Sequence, residues 1–470
     1  MSPAASLLVA ALAFHVDSGE YVNAVYNVMC LAQQASCTRE KYDRLWKDEL
    51  KWSAEDQTQL DRWMSIVRAA ESREPAPPGA PLLANYPSFY PALRKRTAIL
   101  AAALDAKSVD AFQTRASRLV PRDDAIALAR ALRHFQTRLA PWWRGVGRAR
   151  VSGVRALDRE FPPAVRNLFG QVASFVGADV LNAAHVHVVP SPDVGNDDAN
   201  GTVVGNHFFM ELVPTGSSRA AADEATKMVA GVAIHELTHA LYDAAPTATH
   251  LAVMRQFAAS TDPGSPSMYT LLNEAIATAV TGIALELARG KDPEEGAGSD
   301  YRHPYIPRLE RAATEPIRRA LAAGRTMTDG FVDEYVRAAR AILGDDADSL
   351  GFTFSAVAVI AGETLRPAAA SFRQTIGPMA ATDSKANWER IDELNAAFLL
   401  TYDELREFAD RIPDLPALMT HRGFAVMIPH KKKSHVLVLA GRDAAAVSDV
   451  IKQLQPSKPL PRDGTAIVVD

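Results

Sequence analysis

The motif HELTH, formed by His235, Glu236 and His239 with two intervening residues, constrains this chain more than any other feature. It lies in an apolar-periodic segment, MVAGVAIHELTHALYDAA, which predicts a buried helix. On a helix, side chains at i and i+4 project from one face, so both imidazoles can reach the same zinc ion. Glu236 lies beside that face, where its carboxylate can accept a proton from a metal-activated water molecule. These polar groups would be costly in a core helix without a compensating ligand.

A catalytic zinc ion normally has three protein ligands and one open position. A third histidine in the spacing HExxHxxGxxH is excluded, because positions 242 and 245 are Tyr242 and Ala245. The remaining candidate is Glu274, in the segment LLNEAIAT of the next strong helix, where apolar neighbours predict a buried face. Asp243 and His250 are interpreted instead as residues that orient a ligand or lie in a loop.

An HExxH helix followed by a helix with Asn-Glu-x-x-Ala resembles the gluzincin metallopeptidases, the thermolysin-like group of zinc enzymes. The resemblance covers about residues 184–290, and the two motifs are further apart here than in thermolysin. It implies a Zn²⁺ cofactor held by His235, His239 and Glu274, with Glu236 as the general base. The implied activity is hydrolysis of peptide bonds in a peptide or protein substrate.

The resemblance also implies a Tyr or His, downstream of the second glutamate, that stabilises the oxyanion. Three candidates lie in the segment DYRHPY, namely Tyr301, His303 and Tyr305. The sequence does not decide among them.

Gluzincins have an edge strand before the motif helix that binds the substrate backbone, and residues 204–212 (VGNHFFMEL) match that position. Asn206, His207 and Phe208 are therefore the predicted substrate-binding residues. By itself, His207 is typical of a partly exposed cross-strand partner. Glu211 could hold a substrate amino group, although the glycine and asparagine of the family pattern are absent.

His185 and His187 alternate along another predicted strand, so both lie on one face of it. This pattern is compatible with a second metal site but favours an exposed strand face.

The expected fold class is α+β and mostly helical. The expected parts are a possible truncated signal segment (1–14), a helical N-terminal region (15–160), a zincin-like catalytic domain (161–348) and a C-terminal α/β module (349–470). In the catalytic domain we expect a small sheet with strands at 184–189 and 202–213 and ligand-bearing helices at 219–244 and 267–289. The module's first strand is predicted at 352–360.

Two features indicate a periplasmic or secreted protein. Residues 4–14 (AASLLVAALAF) resemble the apolar part of a secretory signal, although no basic residue precedes them. Cys30 and Cys37 span a predicted break between helices, which permits a local disulfide. The alternative is two buried thiols in a reduced, cytoplasmic protein.

Composition excludes several classes of protein. The 470 residues are 48% hydrophobic, and the net charge is -4. A disordered chain is therefore excluded, and no basic field indicates nucleic acid. No continuous apolar run is long enough to predict a membrane span. Two alternative functions stay open: a non-catalytic zinc-binding protein whose C-terminal module binds a partner, and a zinc hydrolase of a non-peptide amide.

Overall fold

The computed structural model describes residues 13–17, 19–34, 37, 39–70, 91–151, 161–178, 183–192, 201–212, 219–289, 303–376, 379–383, 395–408, 412–429, 435–460 and 464–470. The chain divides into two compact units. The first contains residues 1–76, 87–246 and 280–297, and the second contains residues 77–86, 247–279 and 298–470. The fold is α+β and mostly helical, as predicted, with small mixed sheets.

A four-stranded sheet forms part of the first unit. Its strands are β1 (Ala13–Asp17), β2 (Ala183–Pro190), β3 (Gly201–Val204) and β4 (His207–Leu212), in the order β1-β2-β4-β3. Strand β2 is parallel to both β1 and β4, whereas β3 is antiparallel to β4. The antiparallel strand therefore lies at one edge of the sheet.

The helices of the first unit pack on both faces of this sheet or on one another. They are α1 (Glu20–Leu31), α2 (Arg39–Arg44), α3 (Ala54–Ala70), α4 (Pro91–Leu104), α5 (Val109–Ala116), α6 (Arg122–Trp142), α7 (Arg148–Val151), α8 (Pro163–Val176) and α9 (Arg219–Ala244). One hydrophobic core joins α1 to α6 with Val189, Val204 and Phe209 of the sheet. The predicted boundary between a helical region and a catalytic domain at 160/161 is therefore wrong, because the sheet completes the core of the N-terminal helices.

The N-terminal residues differ from their predicted structure. Residue His15 was expected to begin a helical region, but it lies in β1, where it pairs with His185. Parallel pairing with a strand far away in sequence overrides the local helical pattern. Ala13 and Phe14, at the end of the possible signal segment, also belong to β1, and residues 1–12 lie outside the described residues.

The strand predicted at 202–213 is a hairpin. Gly205 and Asn206 form a turn between β3 and β4, and Gly205 has a φ of +61°. A glycine adopts this left-handed conformation without steric cost, whereas most other residues do not. The sequence alternation alone does not reveal this reversal.

The first of the two motif-bearing helices agrees with its prediction, and the second agrees only in part. Helix α9 has the predicted bounds, and it is followed by α10 (Thr247–Ala259), α11 (Ser265–Thr270) and α12 (Leu272–Arg289). The predicted helix at 267–289 is therefore interrupted at Leu271.

None of the described helices is long and apolar enough to span a membrane.

The second unit contains a six-stranded mixed sheet. Its strands are β5 (Ala356–Ala361), β6 (Met379–Asp383), β7 (Ala396–Thr401), β8 (Gly423–Pro429), β9 (His435–Gly441) and β10 (Ile467–Val469), in the order β10-β8-β9-β7-β5-β6. The helices that accompany it in sequence are α13 (Ile306–Ala323), α14 (Val332–Leu343), α15 (Leu350–Thr353), α16 (Arg366–Ile376), α17 (Leu415–Leu418) and α18 (Ala444–Gln453). The C-terminal residues thus mix helices and strands as predicted. Residues 350–353 are helical, so the strand predicted at 352–360 begins later, at Ala356.

Cys30 and Cys37 form a disulfide, with their Cα atoms 5.8 Å apart. The structure therefore contains the bond that the spacing of the cysteines permits, and not two free thiols.

Candidate metal centre

Helix α9 presents the HELTH motif at the border of its buried face. Val229, Ile234, Leu237 and Leu241 are buried, which fixes the helix in the core. The two histidines and the glutamate of the motif are half-buried. The polar side chains are thus held by a rigid apolar helix, and they keep partial access to solvent.

The two imidazoles converge on one point. Nε2 of His235 lies 2.9 Å from Nε2 of His239, and the ring planes are 86° apart. Two nitrogens bound to one zinc ion at tetrahedral angles are separated by roughly 3.3 Å, given Zn–N bonds of about 2.0–2.1 Å. The pair therefore needs only a small adjustment to bind one ion.

Glu274 completes a ligand group. Its side chain is half-buried in the first turn of α12, where the flanking Leu272, Ala275 and Ile276 are fully buried. The ligand atoms of His235, His239 and Glu274 all lie within 4.8 Å of one another. No other group of three His, Cys, Asp or Glu side chains in the described part of the chain meets this criterion.

Glu236 packs against the edge strand. A Cβ atom built on Gly201, the first residue of β3, would lie 2.3 Å from Oε1 of Glu236. The glutamate therefore lies directly over the backbone at the start of the strand.

Asp243 follows His239 by one helical turn. Desolvation of its carboxyl group raises the pKa of Asp243 to about 6, while His239 lowers it and Glu236 raises it further. The residue nevertheless keeps a large exposed surface, so solvent weakens this effect. His250, the other residue considered near the motif, is buried on α10.

His303 has a defined tautomer. Its Nδ1 accepts hydrogen bonds from the backbone N–H groups of Tyr305 and Ile306, at 3.2 and 3.3 Å. Because Nδ1 is the acceptor, the ring hydrogen of the neutral imidazole is on Nε2. Burial lowers the pKa of His303, and a backbone contact with Ser355 and the charge of Glu274 oppose that shift. His303 is therefore a buried hydrogen-bond donor, and the charge of Glu274, a candidate metal ligand, raises its pKa.

Tyr305 has a different environment. Its hydroxyl shares a 3.3 Å hydrogen bond with Oγ of Ser349 and lies near Gly351. The third candidate, Tyr301, lies outside the described residues. Of the two described candidates, His303 is the one with an electrostatic link to Glu274.

The strand order shows that the predicted position of the substrate-binding edge strand is wrong. Strand β4 lies between β2 and β3, so both of its backbone edges are already paired. His207 and Phe208 are buried in it, and the carbonyl of Asn206 accepts a hydrogen bond from the backbone of His185. An interior strand cannot pair with a substrate, so the edge strand before the motif helix is β3 and not residues 204–212.

His187 and His207 form a buried chain of hydrogen bonds. Nε2 of His187 lies 2.9 Å from Nδ1 of His207, whose Nε2 lies 3.1 Å from Oδ1 of Asp105. The interpretation of these histidines as exposed strand residues is wrong, because the core formed by α1 to α6 covers this face of the sheet. The ring of His185, also on β2, stacks on His207, and the ring of His15 on β1 stacks on His185.

Glu211 is also buried, with its carboxylate 3.8 Å from Nζ of Lys41. It therefore cannot hold the amino group of a substrate. Neither Lys41 nor Asp105 could be predicted from the sequence, because each lies in a helical region far from the strand residue that it contacts.

The chain matches no protein-family model, and no match was found among curated proteins or solved structures.

Proposed function

We propose that this protein is a zinc-dependent metallopeptidase with a gluzincin-like, and hence zincin-like, centre. The observation that carries the proposal is the convergence of His235, His239 and Glu274, whose ligand atoms lie within 4.8 Å of one another. Two imidazole nitrogens and one carboxylate oxygen are a typical ligand set of catalytic zinc.

The residues present fit a catalytic ion better than a structural one. Structural zinc sites are normally closed by four protein ligands, whereas this group supplies three among the described residues. A bound zinc ion would act as a Lewis acid, lowering the pKa of a water molecule and polarising the substrate carbonyl.

Glu236 is the proposed general base. Its position beside the two histidines on α9 supports transfer of a proton from the attacking water molecule to its carboxylate. The same carboxyl group can then deliver the proton to the leaving amine.

His303 is the proposed donor to the developing oxyanion. Two backbone amides fix its tautomer, so its Nε2 carries the ring hydrogen and can donate a hydrogen bond. Tyr305 is the weaker candidate because its hydroxyl contacts Ser349.

Strand β3 is the proposed substrate-binding strand. It is an edge strand, and Gly201 at its start contacts Glu236. An extended peptide that pairs with β3 would bring its backbone close to the general base. This arrangement favours a peptide or protein substrate.

We also infer an oxidising compartment, the periplasm or the exterior. The Cys30–Cys37 disulfide supports this inference, because such bonds are rare in reducing compartments.

The test compares metal content and peptide cleavage in matched variants. Zinc per chain is measured by elemental mass spectrometry after purification without chelators, and cleavage is measured with a peptide library. Glu274→Ala is expected to lose zinc, whereas Glu286→Ala, a control on the same helix, should keep it. Glu236→Gln should keep zinc and lose about 10²–10⁴-fold in kcat.

The outcomes separate the alternatives. No zinc in the wild-type protein after addition of the metal would contradict the proposal. Zinc binding without cleavage of any peptide would favour a non-catalytic zinc protein or a hydrolase of a non-peptide amide, and cleavage of small amides would distinguish these two.

A further inference from the structure

Gly201 occupies a position where a side chain would collide with Glu236. An ideal Cβ atom on Gly201 would lie 2.3 Å from Oε1 of Glu236 and 2.6 Å from both its Cδ and its Cγ. Such separations are shorter than any normal contact between heavy atoms. The collision involves three successive atoms of the glutamate, so rotation of the terminal carboxylate alone would not remove it.

Neither backbone can easily retreat from this collision. On one side, Gly201 pairs with Met210, and the following residue Thr202 pairs with Phe209 of the interior strand β4. On the other side, Ala233 and Leu237 of α9 are buried at about one per cent exposure, so a shift of the helix would disrupt the core. The glutamate side chain is therefore the part that must move.

We propose that Gly201 is a positioning residue for Glu236. Its missing side chain lets the carboxylate lie against the edge strand, where an extended substrate would pair. The inference rests on the proposed function, in which Glu236 is the general base. A displacement of about 1 Å at a reacting group can cost roughly 100-fold in rate, so the contact is expected to matter for catalysis.

Gly201→Ala tests the proposal, and Gly231→Ala is its matched control. Gly231 lies on α9 one turn before His235, and a Cβ atom there would meet nothing within 4 Å. Gly201→Ala is expected to keep one zinc per chain and an almost unchanged KM, with kcat reduced about 100-fold. Gly231→Ala should keep both zinc and kcat.

A double-mutant cycle that combines Gly201→Ala with Glu236→Ala measures the contact between residues 201 and 236 independently of activity. If the collision with Glu236 is the cause, Gly201→Ala should lower Tm by several degrees in the wild-type background. It should lower Tm much less when residue 236 is alanine, because Cγ, Cδ and Oε1 are then absent. Glu236→Asp should also reduce kcat much less in the Gly201→Ala background than in the wild type, because Gly201→Ala has already displaced the carboxylate.

The results that would overturn the proposal are specific. A folded Gly201→Ala protein with kcat within about twofold of wild type would overturn it, as would an equal loss of Tm in both backgrounds. If Gly201→Ala fails to fold alone, recovery of a folded protein by Glu236→Ala supports the contact, and no recovery contradicts it. A wild-type protein that binds zinc but cleaves no peptide contradicts the proposed function instead, and the stability cycle still reports on the contact.

Discussion

Nε2 of His187 lies 2.9 Å from Nδ1 of His207, on the face of the four-stranded sheet opposite to the one that meets Glu236. Side chains alternate between the two faces along a strand. Gly201 of β3 pairs with Met210 of β4, and His207 lies three residues before Met210 on β4, so its side chain is on the other face. One face of this sheet therefore contacts the motif helix, and the other carries a buried histidine network.

This network makes the stability of the first unit sensitive to acid. Burial lowers the pKa of His187 well below its ordinary value, with further lowering by His207 and His185. Burial and His185 lower the pKa of His207, while Asp105 opposes the shift. The unfolded chain therefore binds protons more readily than the folded chain. The free energy of unfolding should be highest above pH about 6.5 and fall as the pH decreases below it.

Thermal unfolding between pH 5 and 8 measures this dependence. His187→Phe removes the buried titrating group, so the unfolding temperature of this variant should depend less on pH than that of wild type. His421→Asn, in the second unit, serves as the control. Equal pH dependence in wild type and His187→Phe would exclude the histidine network as the cause.

Substitution of His303 should separate catalysis from helix capping. His303→Ala removes both the Nε2–H donor and the Nδ1 acceptor of two backbone amides, so activity and stability should both decrease. Loss of an oxyanion donor costs about 10²–10³-fold in kcat. His303→Asn can still accept a backbone hydrogen bond, so it should regain stability without regaining kcat. Unchanged kcat in both folded variants would remove His303 from the mechanism.

Tyr305→Phe provides the matched comparison. The variant loses the hydrogen bond with Ser349, which should cost about 1 kcal/mol of unfolding free energy. Its kcat is expected to stay within a few-fold of wild type. A loss of 100-fold or more, measured with the same peptide, would instead identify Tyr305 as the donor.

Removal of the proposed zinc ion should destabilise the protein. A ligand that binds only the folded state adds about 4 kcal/mol when its free concentration is 1,000 times Kd. Chelation should therefore lower the unfolding temperature of wild type and of Glu286→Ala. The Glu274→Ala variant should show little change, and a chelator effect as large as in wild type would contradict the ligand assignment.

The buried Lys41–Glu211 pair should tolerate double substitution better than single substitution. Both side chains are almost fully buried, and their charged atoms are 3.8 Å apart. Lys41→Met alone leaves an unpaired buried carboxylate, which should cost about 3–5 kcal/mol in denaturant unfolding. The double variant Lys41→Met/Glu211→Gln should lose less than Lys41→Met alone, and additive losses would argue against a direct charge interaction.

Local sequence patterns predicted the helices that carry the candidate metal ligands. The apolar period around HELTH gave the bounds of α9, and the apolar neighbours of Glu274 gave its buried face. These features depend on residues three or four positions apart in sequence. Patterns of that range are visible without tertiary structure.

Long-range pairing could not be predicted in the same way. Alternation predicted strand character for residues 204–212 but could not reveal that β4 is interior and β3 is the edge. It also could not show that His15 pairs with His185 in a parallel strand, or that Asp105 meets His207. Strand order and burial depend on contacts between residues far apart in sequence.

The sequence by itself determined the helices that carry the candidate ligands and the type of chemistry that their side chains can support, because a helix face depends only on local spacing. The tertiary structure decided how close the three candidate ligand atoms lie, which of the described strands lies at the edge of the sheet, and which side chain Gly201 meets. Those properties depend on which distant segments pack together, and no local pattern encodes that packing.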